Sequence, residues 1–86
     1  MKELKWNLLK SERLKMTRGM SFEEVIRERL VAIKEHPERA GQRLMLFEVR
    51  GYVWVVPCVM SEDEIFLKTL YPSRKYTKMF KGGEGS

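Results

Sequence analysis

Residues 67–81 read LKTLYPSRKYTKMFK, with five basic side chains, three aromatic ones and no carboxylate. Each residue type brings its own chemistry. The planar fork of Arg74 matches two oxygens of one phosphate. An amine crowded by other cations is disfavoured in its charged form, which makes Lys75 or Lys68 the candidate to accept a proton. Tyr71 and Tyr76 offer flat faces on which splayed bases stack, and Lys78 adds a further positive charge for an RNA backbone. Such a segment suits an anionic polynucleotide. A solvated surface, or a dock for an acidic segment of another protein, has the same composition.

The rest of the chain narrows the choice. Seventeen Lys and Arg against twelve Asp and Glu give a net charge of +5 over 86 residues, with an isoelectric point of about 9.6. This balance favours an anionic partner. The single cysteine, Cys58, excludes a disulfide framework and a cysteine-rich zinc site, and its apolar surroundings, YVWVVPCVM, mark it as a small buried hydrophobe. The six methionines read as core filler without metal-site spacing, and no cofactor or metal is expected. No apolar run approaches the roughly 20 residues that span a bilayer, and the first residues lack a signal peptide's apolar core, so a cytoplasmic protein without membrane contact is expected. The length fits one domain over residues 1–81, with GGEGS at 82–86 as a flexible tail.

The elements that must position these groups are legible in part. LKW at residues 4–6 predicts a short extended piece, and Asn7 caps a helix carrying Leu8, Leu9, Leu14 and Met16, stopped by Gly19. Lys10, Arg13 and Lys15 form its charged face, which is either solvated or in contact with RNA. Ser21 and Glu24 form a capping box for a second helix that takes in Val25, Ile26, Arg29 and Leu30. A weak strand after Val31 leads to a loop at Pro37 and Gly41. Two β-rich runs around Arg50 and Gly51 predict a hairpin, with Pro57 at a bulge or an outward position near the end of its second strand. IFLKTLY predicts another strand, closed by Pro72. Ser73 then caps a short helix with Tyr76 and Phe80 on one side. The two tryptophans, Trp6 and Trp54, read as packing residues. The expected fold is α+β: two N-terminal helices on a three- to four-stranded antiparallel sheet, with a short C-terminal helix.

The order of KWN, RGMSFEE and EIFLKTLYPSRKYTK over residues 5–80 resembles the BrnT family of type II toxins. Trp6 and Asn7 stand at that family's Trp-Asp and Lys10 at its helix lysine, while Gly19 with Ser21, Phe22, Glu23 and Glu24 repeats its glycine and SFEEA turn, with Val25 for the alanine. Lys68 replaces a more frequent arginine. YPSRKYTK replaces ISARKATR, keeping Arg74 and Lys75 but introducing Pro72 and displacing Ser73 by one. The resemblance implies a RelE-like fold and a ribonuclease toxin. It further implies, as partner, a cognate ribbon-helix-helix antitoxin whose complex with the toxin holds operator DNA.

Metal-independent RNA cleavage needs a base for the 2′-hydroxyl, a donor for the leaving oxygen and positive charge at the phosphoryl oxygens. On this reading Arg74 stabilises the transition state, and Lys75, Lys68, His36 or a tyrosine moves protons. Lys78, Tyr76, Tyr71 and Lys10 bind RNA, with or without the ribosome as a platform. His36, in a loop beside Pro37, is either part of this site or plain surface. The alternative is a catalytically inactive module of the same fold that binds RNA or the antitoxin.

Overall fold

In the computed structural model residues 2–85 are described, with side chains through Phe80; Ser86, at the end of the expected tail, lies outside them. The chain runs β1 (Glu3–Lys5), α1 (Leu8–Arg18), α2 (Phe22–Val25), β2 (Arg29–Glu35), β3 (Gln42–Val49), β4 (Tyr52–Met60), β5 (Glu64–Leu67), β6 (Tyr71–Pro72) and α3 (Arg74–Gly85). None of its helices is long and apolar enough to cross a membrane among the described residues. The α+β class is as expected, but the sheet is larger and mixed. Its order is β1-β5-β4-β3-β2 with β6 also on β4, and β1 runs parallel to β5.

The central hairpin forms as its sequence predicts. Arg50 and Gly51 have φ of 52° and 83°, the two positive values of a type I′ turn, whose twist matches that of the flanking strands. Both strands are nearly continuously apolar because both faces of the sheet are covered. Met45, Phe47, Val56 and Cys58 join Leu14, Phe22, Val25, Leu67 and Leu70 in one core. Leu44, Leu46, Val53 and Val55 form a second, covered by Tyr76 and Phe80 of α3. The expected Tyr76–Phe80 face is therefore the docking face of that helix. Burial holds the Cys58 thiol pKa above its ordinary value, opposed by nearby Arg43, so this cysteine stays an unreactive core residue.

Helix α1 is capped by Asn7, whose side chain accepts from the Lys10 backbone N–H at 2.9 Å, and ends at Gly19 with φ of 80°. Its buried stripe is only Ser11 and Leu14. Leu8, Leu9 and Met16, expected on the apolar side, are 67, 72 and 87% exposed. The capping box of Ser21 and Glu24 is present, but α2 is a single turn rather than a helix reaching Leu30. Arg29 and Leu30 pair with Glu48 and Phe47 instead. The β-branched Val31 and Ile33 that follow gain more from a ladder on β3 than from further helix.

Several residues that carried the family resemblance serve as a brace. The Trp6 indole N–H donates to Glu23 at 3.0 Å, Ser11 donates to the other Glu23 oxygen, and the Phe22 N–H donates to Ser11 at 2.9 Å. The Ser11 hydroxyl, then the Glu23 backbone N–H, hold the Glu23 carboxyl below its ordinary pKa, with a smaller contribution from Trp6. Glu24 is lowered chiefly by Lys15, at 2.8 Å. Lys15 is thus engaged within the fold, whereas Lys10 and Arg13 remain available.

Helix α3 docks through one hydroxyl. The Val53 N–H donates to Thr77 Oγ1 at 2.8 Å, Thr77 Oγ1 donates to the Ser73 carbonyl at 2.6 Å, and the Ser73 N–H donates to the Val53 carbonyl at 2.9 Å. The threonine is inserted into the ladder. Trp54 and Pro72, the next pair, then fall at a non-hydrogen-bonded position of the antiparallel ladder, where proline's missing donor costs nothing. Thr77→Val should leave the Val53 N–H unpartnered, while the Ser73 carbonyl keeps the Thr77 N–H at 3.0 Å, and should lower stability by about 1–3 kcal/mol. Urea denaturation checks this, and an unchanged midpoint would show that the hydroxyl is replaceable.

Candidate functional site

The site begins at Pro57. Antiparallel pairing of β4 with β5 runs through Met60–Ile65, Val59–Phe66 and Cys58–Leu67. At the next pair the Lys68 N–H donates to the Pro57 carbonyl at 2.8 Å, but Pro57 has no N–H to return to Lys68. The ladder stops there, and residues 68–70 leave the sheet before β6 resumes pairing at Tyr71. Pro57 is itself buried within β4, not at an outward position, and the strand expected over IFLKTLY is split in two. Leu70 drops fully into the core while the Lys68 side chain stays exposed. The guanidinium of Arg18, at the end of α1, donates to the Leu70 carbonyl and ties this segment down.

A second contribution comes from the turn between β2 and β3. The His36 N–H donates to the Gln42 carbonyl at 3.0 Å, and the turn closes with Gly41 at φ of 82°. His36 Nδ1 accepts from the backbone N–H groups of Glu38 and Arg39, both at 3.1 Å. A nitrogen that accepts twice carries no proton, so the neutral ring bears its hydrogen on Nε2 and presents a donor there.

These segments meet α1 around one cleft of about 300 Å³, lined by Lys10, His36, Arg39, Gln42, Pro57, Lys68, Thr69 and Tyr71. That volume is at the lower end of the range for small-molecule sites. Four of the sequence candidates (Lys10, His36, Lys68 and Tyr71) thus converge from three separate parts of the chain. Tyr71 is pushed above its ordinary pKa by burial first and Tyr76 second, against a lowering contribution from Arg18. It therefore stays protonated at neutral pH and acts as a donor.

An adjoining cleft shares His36, Arg39 and Tyr71 and adds Ser73, Lys75 and Tyr76. The Lys75 ammonium lies 5.7 Å from the centre of the Tyr76 ring. Two further clefts extend along α1, one lined by Lys10, Arg13, Thr17, Arg18 and Thr69, the other by Lys10, Arg13, Phe66 and Lys68 among others. Arg74 and Lys78 line none of these four clefts. Arg39 and Arg13 do line them; Arg13 belongs to the helix face expected to be either solvated or in contact with RNA, whereas Arg39 is not among the sequence candidates, the His-Pro turn beside it being the available signal.

Among the described residues the ion pairs are Lys5–Glu3, Lys15–Glu24, Arg29–Glu48 and Arg43–Glu35. None involves a cation of the clefts. Glu38 is the single carboxylate on their combined lining, so the cations of this concave surface far outnumber its anions. No three His, Cys, Asp or Glu side chains converge among the described residues. The arrangement can grip phosphate, stack bases and move protons through an amine, an imidazole and a phenol.

No known family matches this chain, and no curated protein matches it in sequence. Its structure is similar to the crystal structure of the Brucella abortus ribonuclease toxin BrnT, with a TM-score of 0.57 at 12% sequence identity, over 85% of this chain and 97% of that one. The chain has a BrnT-like fold.

Proposed function

We propose that this protein is a metal-independent ribonuclease acting as the toxin of a type II toxin-antitoxin pair. The observation that carries the reading is one cleft whose lining combines Lys10, Arg39 and Lys68 with His36 and Tyr71. Cations for phosphate and groups for proton transfer share one concave site. A ribonuclease toxin of like fold supports the same reading.

The chemistry follows from the donors. RNA cleavage by its own 2′-hydroxyl places negative charge on the phosphoryl oxygens, and Arg39 and Lys10 offset it. His36 Nε2–H and the Tyr71 hydroxyl are held as donors, suited to a phosphoryl oxygen or the departing 5′-oxygen. Lys68, on the lining of the same cleft, is the group assigned to the 2′-hydroxyl proton. Lys75 and Tyr76 receive the neighbouring nucleotide, with Arg74 and Lys78 outside the clefts as long-range attraction for the RNA. A cognate ribbon-helix-helix antitoxin neutralises the toxin by covering this cationic surface.

The test is incubation of labelled single-stranded RNA with purified protein in excess chelator, read on a denaturing gel, for wild type, Arg39→Ala and Arg74→Ala. Wild type should give fragments. Arg39→Ala should lose about 10²-fold or more, as for loss of one preorganised transition-state donor, and Arg74→Ala should lose much less. Intact RNA in the wild-type lane, with and without ribosomes, would reject the nuclease and leave an RNA- or antitoxin-binding module. An Arg74→Ala loss equal to that of Arg39→Ala would return Arg74 to the centre of the site.

A further inference from the structure

Phe66 is an unusual residue on this surface. Its neighbours Ile65 and Leu67 pack into or against the core, so strand alternation turns Phe66 the other way, and it is 39% exposed. It lies in a cleft with Asn7, Leu9, Lys10, Arg13 and Lys68, where no lining side chain is acidic. The cleft shares Lys10 and Lys68 with the candidate reaction centre, so the two adjoin.

An accessible aromatic ring among unpaired cations is the arrangement that sequence-tolerant binding of single strands uses, the ring stacking on a base and the cations following the backbone. The adjoining cleft also pairs an aromatic with a cation, Tyr76 beside Lys75, although Tyr76 packs against the core and Glu38 lies on the same lining. We propose that the Phe66 cleft is a second nucleotide subsite: Phe66 stacks on a base of single-stranded RNA one or more nucleotides from the scissile bond, and Arg13 holds that nucleotide's phosphate. The subsite rests on the reading that RNA is the substrate, but not on whether cleavage follows. It gives Lys10 and Arg13 of α1, which make no ion pair among the described residues, a role in setting the length of RNA the protein grips.

The test uses fluorescence anisotropy with non-cleavable 2′-O-methyl RNA of roughly two and eight nucleotides, against wild type, Phe66→Leu, Phe66→Trp and Arg13→Gln. Phe66→Leu keeps an apolar side chain on the strand and should weaken the longer RNA about tenfold. Phe66→Trp should restore binding, since a ring is what the subsite needs. Arg13→Gln should make the salt dependence of log K for the longer RNA shallower by about 0.7, the loss of one single-strand phosphate contact. Wild-type affinity in Phe66→Leu, or a Phe66→Trp protein as weak as Phe66→Leu, would overturn the proposal. So would a poly-glutamate peptide that competes as well as RNA, which would make the cleft a dock for an acidic protein segment. A wild type that shows the Phe66 effect but cuts no RNA sinks the nuclease and leaves the subsite; cutting without a Phe66 effect does the reverse.

Discussion

Lys68→Met is expected to lower metal-free RNA cleavage by about 10²–10⁴-fold, the usual contribution of a positioned acid–base group, with no change in fold. The side chain is exposed, and what holds the segment is backbone: the Lys68 N–H on Pro57 and the Arg18 guanidinium on the Leu70 carbonyl. Methionine keeps the backbone bonds and most of the stem while removing the amine. A charge-matched control is Lys34→Met, on the exposed strand β2 and outside every cleft described. If both variants lose the same modest amount, Lys68 is only one more attractive charge. If Lys68→Met cleaves at the wild-type rate, the proton passes through another group. Initial rates at several salt concentrations separate these outcomes, because screening weakens general attraction far more than a proton transfer within the cleft.

Phe22→Ala should be the most damaging single substitution, costing about 3–5 kcal/mol. Phe22 has no exposed surface, touches the Trp6 ring at a centroid distance of 6.3 Å, and anchors the turn of α2 in the core shared with Leu14 and Leu70. A domain of this size has only about 5–15 kcal/mol of stability in total, so the variant should lose from about a fifth up to all of it and unfold at a much lower urea concentration. Urea denaturation followed by circular dichroism measures it. A loss below about 1 kcal/mol would mean that the core closes around the deletion and that SFEE works as a cap alone.

The difference between these two residues shows what was legible. Phe22 belongs to a local signal, a capping box with an apolar residue after its serine, and local signals survive folding because their geometry is set within a few residues. The Asn7 cap, the Gly19 stop, the Arg50-Gly51 hairpin and the Ser73 cap of α3 are of the same kind. Lys68 was a candidate for its residue type, yet its place in a cleft depends on a proline eleven positions earlier that lies beside it only across the sheet. The helix expected through Leu30 shortened for a similar reason: a strand partner nineteen or fewer residues away outweighed local periodicity.

The cationic aromatic segment was read as one unit, and the structure divides it. Lys68, Tyr71, Lys75 and Tyr76 line the clefts, Tyr76 also docks the helix together with Thr77 and Phe80, and Arg74 and Lys78 line none of the four clefts described. Lys10, His36 and Arg39 arrive from elsewhere in the chain to complete the site. The sequence by itself determined the α+β class, the capped and turned local elements, the positive charge and the residue types able to handle a phosphate, because propensity, capping and charge are properties of short stretches. Only the tertiary structure decided which of seventeen basic residues share a cleft, since that depends on strand order, on a parallel β1 and on a ladder that breaks at Pro57, and each of these is fixed by pairing between residues far apart in the chain.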